Sequence, residues 1–83
     1  MKIQVLGPGC RNCEVLYDNV VKTLDRAGLR DKVQVEKVRD IDYFIKMGVF
    51  NTPGLVVDGE VISTGKVLNP DQVLERLQEK GLI

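Results

Sequence analysis

The sequence predicts an α/β fold in which a four-stranded mixed sheet carries helices on both of its faces. Short apolar runs typical of strands alternate with longer segments whose apolar residues recur every three or four positions, as in helices. An Asp-Gly pair separates the last two apolar runs, which is a strong hairpin signal. The resulting order is strand, helix, strand, helix, strand, strand, helix. The first two strands are therefore expected to be parallel and the last two antiparallel.

The chain is predicted to begin with a buried strand and a long helix. Lys2 to Leu6 is a mostly apolar run, and the segment Gly7-Pro8-Gly9 breaks the strand after it. The helix that follows ends at Gly28, a typical residue beyond a helix C-terminus. The residues expected on its buried face are Cys13, Leu16, Tyr17, Val20, Leu24 and Ala27.

A second strand and a short helix are predicted next. The alternation in Val33-Gln34-Val35-Glu36 indicates a strand with one solvent-exposed face, which Lys37 and Val38 extend. Such a strand is expected at or near a sheet edge. Asp40 is expected to cap a short helix that stops at Gly48. The positions expected to be buried in that helix are Ile41, Phe44 and Ile45.

The remaining elements are a hairpin and a final helix. Leu55-Val56-Val57 and Val61-Ile62-Ser63 flank Asp58-Gly59-Glu60, where the turn requires positive φ. Asn69 is expected to cap the last helix, with Pro70 at its first position and a glutamine at its third, an arrangement close to a capping box. The residues expected to face inward are Val73, Leu74 and Leu77.

Composition limits the classes of function. With 83 residues, the chain is expected to form a single domain over residues 1–83. Because 12 Lys and Arg balance 12 Asp and Glu, we expect no nucleic-acid partner, and no apolar run approaches the ~18 residues of a membrane span. Met1-Lys2 leads straight into a strand pattern instead of a secretory signal, which favours the cytoplasm. Glu36 and Lys37 on the edge strand favour a monomer.

The two cysteines form a C-x-x-C motif between the first strand and the first helix. At this spacing in a first helical turn, Cys10 and Cys13 should have Cα atoms about 5 to 6 Å apart, within disulfide range. The helix N-terminus favours an anion and so stabilises a thiolate there. In a reducing compartment a lone C-x-x-C is more often catalytic or metal-binding than structural. We therefore predict thiol–disulfide exchange, with no cofactor and no metal.

The two sulfurs are expected to have different roles. Cys10 lies at the loop edge and is predicted to be the nucleophile, whereas Cys13 lies on the apolar helix face and is predicted to resolve the mixed disulfide. Arg11 places a cation beside Cys10, although a surface arginine is more often simply solvated. Tyr17, one turn after Cys13, is interpreted as a core residue.

These motifs resemble the thioredoxin and glutaredoxin superfamily, most closely its small single-domain redox-active disulfide proteins of bacteria and archaea. The resemblance covers nearly the whole chain. It rests on the segment Gly7 to Cys13, on Thr52-Pro53-Gly54, and on the Val57-Asp58-Gly59-Glu60 hairpin with Gly65 beyond it. It implies a thioredoxin-like fold and a disulfide-bearing client protein or small thiol as substrate. It also implies a protein reductase as electron donor.

The resemblance further implies how a client binds. In the family, the pair that matches Thr52-Pro53 has a cis peptide bond facing the disulfide. Thr52 is thus expected to offer its backbone N–H and C=O to an extended client segment, and Pro53 to pack against the sulfurs. Gly9 and Arg11, on either side of Cys10, complete the candidate substrate-binding residues.

The chain also departs from the better-known relatives. Thioredoxins usually have an aromatic residue before the first cysteine and Gly-Pro between the two, where this chain has Gly9 and Arg11-Asn12. Glutaredoxins usually have a Gly-Gly-plus-acidic segment before the last helix. The segment Thr64 to Asn69 keeps one glycine and lacks the acidic residue, so glutathione is not favoured as the reductant.

Two alternatives stay open at this point. Small copper and heavy-metal chaperone domains also have C-x-x-C after a first strand, and two thiolates bind Cu(I) well. Their order of strand, helix, strand, strand, helix, strand would need strands where Ile41 to Met47 and Val73 to Leu77 have helical spacing. The second alternative is a thioredoxin-fold protein that only senses redox state or docks to a partner, and keeps its disulfide without turnover.

Overall fold

The structure is a computed structural model that describes residues 2–81, and it has the predicted element order βαβαββα. The strands are β1 (Lys2–Leu6), β2 (Gln34–Val38), β3 (Gly54–Val57) and β4 (Glu60–Thr64). The helices are α1 (Arg11–Arg26), α2 (Ile41–Lys46) and α3 (Pro70–Glu79). Within residues 2–81, no helix combines the length and apolar character of a membrane span.

The four strands form one mixed sheet in the order β2-β1-β3-β4. β1 pairs parallel with β2 and antiparallel with β3, and β3 pairs antiparallel with β4, so the predicted topology is confirmed. The hairpin turn is Asp58-Gly59, and both residues have the positive φ that a two-residue hairpin needs, 49° and 82°. Glu60 was predicted in the turn but is the first residue of β4.

Helices cover both faces of the sheet and bury two apolar clusters against it. One cluster lies between the sheet, α1 and α3, and its buried members are Ile3, Val5, Leu16, Val20, Leu24, Val33, Leu55, Val57, Leu68, Val73 and Leu77. The other lies under α2 and comprises Leu6, Phe44, Val49 and Val56. Each fully buried aliphatic side chain contributes about 1.5 to 3 kcal/mol, so these clusters hold β1 as a rigid base for the loop that follows it.

The predicted burial of α2 was wrong at two positions. Phe44 is buried, but Ile41 and Ile45 are 63% and 57% exposed. Tyr43 and Met47 pack beside Phe44 against the core instead. At 100° per residue, Ile41 and Ile45 lie about 120 to 160° around the helix axis from Tyr43 and Met47. A buried face that includes Tyr43 and Met47 beside Phe44 therefore leaves both isoleucines exposed.

The buried face of α1 also differs from the prediction at its C-terminal end. Ala27 is exposed because α1 ends at Arg26 and Ala27 is its C-cap. Thr23 is buried instead, and its hydroxyl lies 2.9 Å from the carbonyl oxygen of Asn19 and 3.1 Å from that of Pro70. These contacts join α1 to the start of α3 and satisfy a polar group that would otherwise be costly to bury.

The cap of α3 is a complete capping box. The Asn69 side chain accepts a hydrogen bond from the backbone N–H of Gln72 at 2.8 Å, and the Gln72 side chain accepts one from the backbone N–H of Asn69 at 3.0 Å. The two side chains thus satisfy two N–H groups at the helix start. Val73 and Leu77 are buried as predicted, and Leu74 is half-buried.

A series of hydrogen-bonded polar side chains crosses the sheet beneath α2. The Tyr43 hydroxyl donates to Gln4 Oε1 at 2.7 Å, and Gln4 Nε2 donates to Glu36 Oε1 at 2.7 Å. Lys2 lies 3.3 Å from the same Glu36 oxygen. The Gln4 hydrogen bond lowers the pKa of Glu36 from its ordinary value of 4.5, Lys2 adds to this lowering, and partial burial opposes it.

We expect Glu36→Gln to destabilise the protein only where Glu36 is ionised. The lowered pKa means that ionised Glu36 stabilises the fold fully above about pH 4.5. This stabilisation is lost as the pH falls through the lowered value. Because Glu36 is partly exposed, the difference should be a few tenths to about 1 kcal/mol at pH 7. Urea unfolding of both proteins at pH 7 and pH 3 tests this, and an equal difference at both pH values would contradict it.

Candidate active site

Cys10 occupies the N-cap of α1, a helix of 16 residues. Its Sγ accepts a hydrogen bond from the backbone N–H of Cys13 at 3.4 Å, and its carbonyl accepts one from Glu14 N–H at 3.1 Å. Cys10 and Cys13 form a disulfide with a Cα separation of 5.2 Å, within the expected range. The positive end of the helix and an N–H group are therefore directed at the Cys10 sulfur.

The two sulfurs differ in exposure as the sequence predicted. Cys10 is exposed, whereas Cys13 is only 5% exposed and lies on the buried face of α1. A thiol-exchange partner must reach the sulfur that it attacks, which the exposure of Cys10 favours and the burial of Cys13 opposes. The geometry therefore places one cysteine of the disulfide at the surface and the other within the protein.

Gly7 makes the burial of Cys13 possible. A Cβ atom placed on Gly7 would overlap the Cys13 Sγ and lie 2.9 Å from the Cys13 Cβ. The Gly7 N–H donates to the carbonyl of Val38 at 2.9 Å, which fixes the backbone at the end of β1. The sequence indicates Gly7 only as a strand breaker, because its contact with Cys13 depends on the position of α1 relative to β1.

The Thr52-Pro53 peptide bond is cis and lies at the same end of the sheet as the cysteines. Leu6 pairs with Gly54 in the antiparallel β1–β3 ladder, so the residues just beyond this pair, Gly7 and Pro53, are neighbours across the sheet. Pro53 is fully buried, and its carbonyl accepts from Gly65 N–H at 2.9 Å.

The backbone N–H and C=O of Thr52 are not paired with another backbone group within residues 2–81. The residue itself is half-buried. An extended peptide that approaches the cysteines along this edge can therefore pair with both groups, as a strand pairs with a sheet edge. The structure thus brings an open backbone segment and the C-x-x-C motif to one end of the sheet.

A second arginine lies beside Cys10. Arg11 is exposed at the first position of α1, as expected. A Cβ built on Gly9 would lie 3.3 Å from Arg39 Cζ and 3.4 Å from its Nε and Nη2, so the Arg39 guanidinium lies against Gly9. Gly9 has a φ of 92°, a conformation that favours glycine. No local sequence pattern indicates Arg39 as a site residue, because it lies 29 positions from Cys10.

Tyr17 packs as a core residue, as interpreted from the sequence. It is half-buried against the cluster under α1, and Lys37 Nζ lies 4.6 Å above the centre of its ring. The same ammonium group pairs with Glu14 at 2.5 Å. This pair balances the carboxylate that follows Cys13, so the first turn of α1 carries no unpaired acid next to the buried sulfur.

The element order of the structure differs from that of a metal-chaperone domain. α2 and α3 occupy the positions where the element order of a copper chaperone domain would need strands. Among residues 2–81, no group of three or more His, Cys, Asp or Glu side chains is placed to hold a metal ion. The two cysteines are the soft ligands at the site, and here they are joined as a disulfide.

Comparisons with known proteins agree with this geometry. A family model described as a thioredoxin domain matches residues 1–78. The "Thioredoxin" of Methanothermobacter thermautotrophicus is 34% identical over 73 residues, which cover 88% of this chain and 92% of that protein. The "Thioredoxin" of Methanocaldococcus jannaschii is 30% identical over 76 residues, which cover 92% of this chain and 85% of that protein. The chain belongs to the thioredoxin family and is a thiol–disulfide oxidoreductase.

Proposed function

We propose that Cys10 is the nucleophile of this oxidoreductase and that Cys13 resolves the mixed disulfide. The observation that carries the proposal is the contrast at the start of α1. The exposed Cys10 sulfur accepts an N–H group at the positive end of a helix, and the Cys13 sulfur is buried behind it. The N–H group and the positive end of the helix both stabilise a thiolate at Cys10, which raises the fraction of the reactive form.

The reaction then follows in two steps. The Cys10 thiolate attacks one sulfur of the client disulfide, the client S–S bond breaks, and its second sulfur leaves as a thiolate that takes up a proton. The Cys13 thiol loses its proton and attacks the Cys10 sulfur of the mixed disulfide. This releases the first client sulfur, forms the Cys10–Cys13 disulfide, and transfers two electrons from the protein to the client.

The client-binding residues in this proposal are Thr52, Pro53, Gly9 and Arg11. Thr52 pairs its open N–H and C=O with an extended segment on one side of the client cysteine. Pro53, buried next to Gly7, forms the apolar wall beside the sulfurs without offering a donor. Gly9 adds no side chain of its own beside Cys10, and Arg11 supplies a cation at the rim.

The proposal extends to partners, organisation and location. Disulfide-bearing clients and reductases are the general partner classes of the thioredoxin family. We propose for this chain a protein or small-molecule disulfide as client and a protein reductase as electron donor. We also propose that residues 1–83 act as a single monomeric domain in the cytoplasm, where thiols are kept reduced and a lone C-x-x-C is typical of exchange.

Two measurements on the reduced protein test the division of roles. The rate of alkylation of Cys10, followed by mass spectrometry from pH 5 to 10, should show that the Cys10 thiolate forms well below the pH of about 8.5 at which an ordinary cysteine ionises. Cys13 should react more slowly because it is buried. The same preparation should reduce a chromogenic aromatic disulfide with multiple turnovers in the presence of excess dithiol.

Ionisation of Cys10 only at about pH 8.5, together with single turnover, would contradict the proposed mechanism and favour a redox sensor. A competition experiment against a strong Cu(I) chelator examines the metal alternative in parallel. Retention of one Cu(I) per chain under those conditions would favour metal binding by the two thiolates.

A further inference from the structure

We propose that Arg39 is a specificity-determining residue that, with Arg11, selects clients whose disulfide is flanked by carboxylate side chains. The inference deepens the proposed function and rests on it, because it assumes that Cys10 meets the client first. The client class is then an acidic peptide segment.

The position of Arg39 follows from the sheet. β2 lies parallel beside β1, Leu6 pairs with Val38, and the Gly7 N–H extends this pairing by donating to the Val38 carbonyl. The residue that follows Val38 therefore starts beside the loop that leads to Cys10. Arg39 is that residue, and its long side chain reaches across the loop.

The guanidinium group lies flat on the loop. Its Cζ, Nε and Nη2 atoms are all 3.3 to 3.4 Å from the point where a Cβ of residue 9 would be. Three atoms of one planar group at nearly equal distance indicate face-on packing against Gly9. Any side chain on Gly9 would press on the guanidinium, so the glycine leaves room for this contact. Arg39 consequently covers one chain neighbour of Cys10, and Arg11 is the other.

Both guanidinium groups are available to a ligand. The ion pairs within residues 2–81 are Lys2–Glu36, Arg30–Asp25, Lys37–Glu14 and Lys80–Glu60, and neither Arg11 nor Arg39 takes part in one. The acid next to Arg39 in sequence, Asp40, caps α2 by accepting the N–H of Asp42 at 3.0 Å. A chain with zero net charge thus presents two unpaired, exposed cations around its nucleophile.

Guanidinium groups bind carboxylates through two parallel hydrogen bonds, and charges at the rim of an interface mainly affect association rate and specificity. A client segment paired with Thr52 places the residues next to its cysteine above Gly9 and the first turn of α1. Carboxylates at those positions meet Arg39 and Arg11, whereas lysines there meet like charge. Exchange should therefore be fastest with acidic clients.

The test uses two disulfide peptides of one sequence, with glutamate or glutamine on both sides of each cysteine. Second-order rate constants for their reduction by the reduced protein give the preference for the acidic peptide. Arg39→Gln should lower that preference roughly five-fold, and Arg39→Lys should restore part of it. The preference should also fall as salt is raised. Glutathione disulfide, which carries carboxylates but little extended backbone, should react more slowly than the acidic peptide.

The matched control is Arg26→Gln, which removes the same charge at the far end of α1, roughly 20 Å away along the helix. It should leave the preference unchanged. The inference would be overturned if Arg39→Gln slowed the reduction of both peptides equally, or if glutathione disulfide were reduced faster than the acidic peptide. Either result would leave the proposed function intact. Reduction of neither peptide by the wild-type protein would overturn the proposed function and the inference with it.

Discussion

Cys10→Ser should abolish disulfide exchange completely, because a hydroxyl cannot form the mixed disulfide through which the electrons pass. The fold should survive this change. Serine is among the preferred N-cap residues, so Ser at position 10 can accept the N–H group that the Cys10 sulfur accepts now. Far-UV circular dichroism and urea unfolding of the reduced wild type and the variant should match closely, while turnover of the aromatic disulfide should fall to the uncatalysed rate.

Cys13→Ser should give a different result, the accumulation of a mixed disulfide. Cys10 remains exposed and attacks the client, but no second sulfur lies behind it to release the product. One client molecule per chain should therefore stay bound, visible as a mass increase that a reductant removes. Cys13→Ala serves as a second variant, since a buried serine hydroxyl without a partner costs about 1 to 3 kcal/mol.

The pair of variants separates the two roles. Normal turnover by Cys13→Ser would show that an external thiol resolves the mixed disulfide and that the buried sulfur is dispensable. Trapping by Cys10→Ser through Cys13 would reverse the proposed order of attack. With captured client in hand, the sequence around its trapped cysteine also shows whether carboxylates lie beside it.

The element order could be predicted because its strongest signals are local. Asn69-Pro70 sets the start of α3, and Asp58-Gly59 sets the turn between β3 and β4, each through hydrogen bonds or backbone angles within a few residues. The C-x-x-C motif is local in the same sense. Its spacing and its place before a helix were enough to predict both the disulfide and the difference in exposure between Cys10 and Cys13.

The orientation of α2 could not be predicted in the same way. The helix has only six residues, and apolar or aromatic side chains occur on every side of it, at Ile41, Tyr43, Phe44, Ile45 and, just beyond, Met47. Periodicity then gives two possible faces of similar hydropathy. The choice between them depends on how the following segment, which buries Val49, returns the chain to β3.

Parts of the site depend on long-range contacts that local patterns do not contain. Gly7 has to be small because α1 packs its Cys13 sulfur against it, and Arg39 meets Gly9 because β2 is in register with β1. The parallel pairing of these strands was predicted, but its register was not. With the register Leu6 to Val38 in hand, the proximity of Arg39 to the cysteine loop follows directly.

Gly7→Ala should have the second largest effect, because one added methyl group occupies the space of the Cys13 sulfur. Neither side can yield easily, since Cys13 is buried in α1 and the Gly7 backbone is held by its hydrogen bond to Val38. Overpacking of this kind costs about 1 to 3 kcal/mol of the free energy of unfolding. It should also move the Cys13 sulfur away from Cys10 and slow resolution of the mixed disulfide, while attack by Cys10 proceeds at its normal rate.

Gly28→Ala is the matched control for this prediction. It is the same substitution, but a Cβ at Gly28 meets nothing within 4 Å, and Gly28 lies just beyond the opposite end of α1. Its φ of 71° makes alanine cost about 1 to 2 kcal/mol, so the two variants should lose comparable stability by urea unfolding. Stopped-flow measurement of mixed-disulfide resolution should then separate them, with only Gly7→Ala slowed. Equal resolution rates in both variants would show that the Cys13 sulfur does not depend on the space that Gly7 leaves.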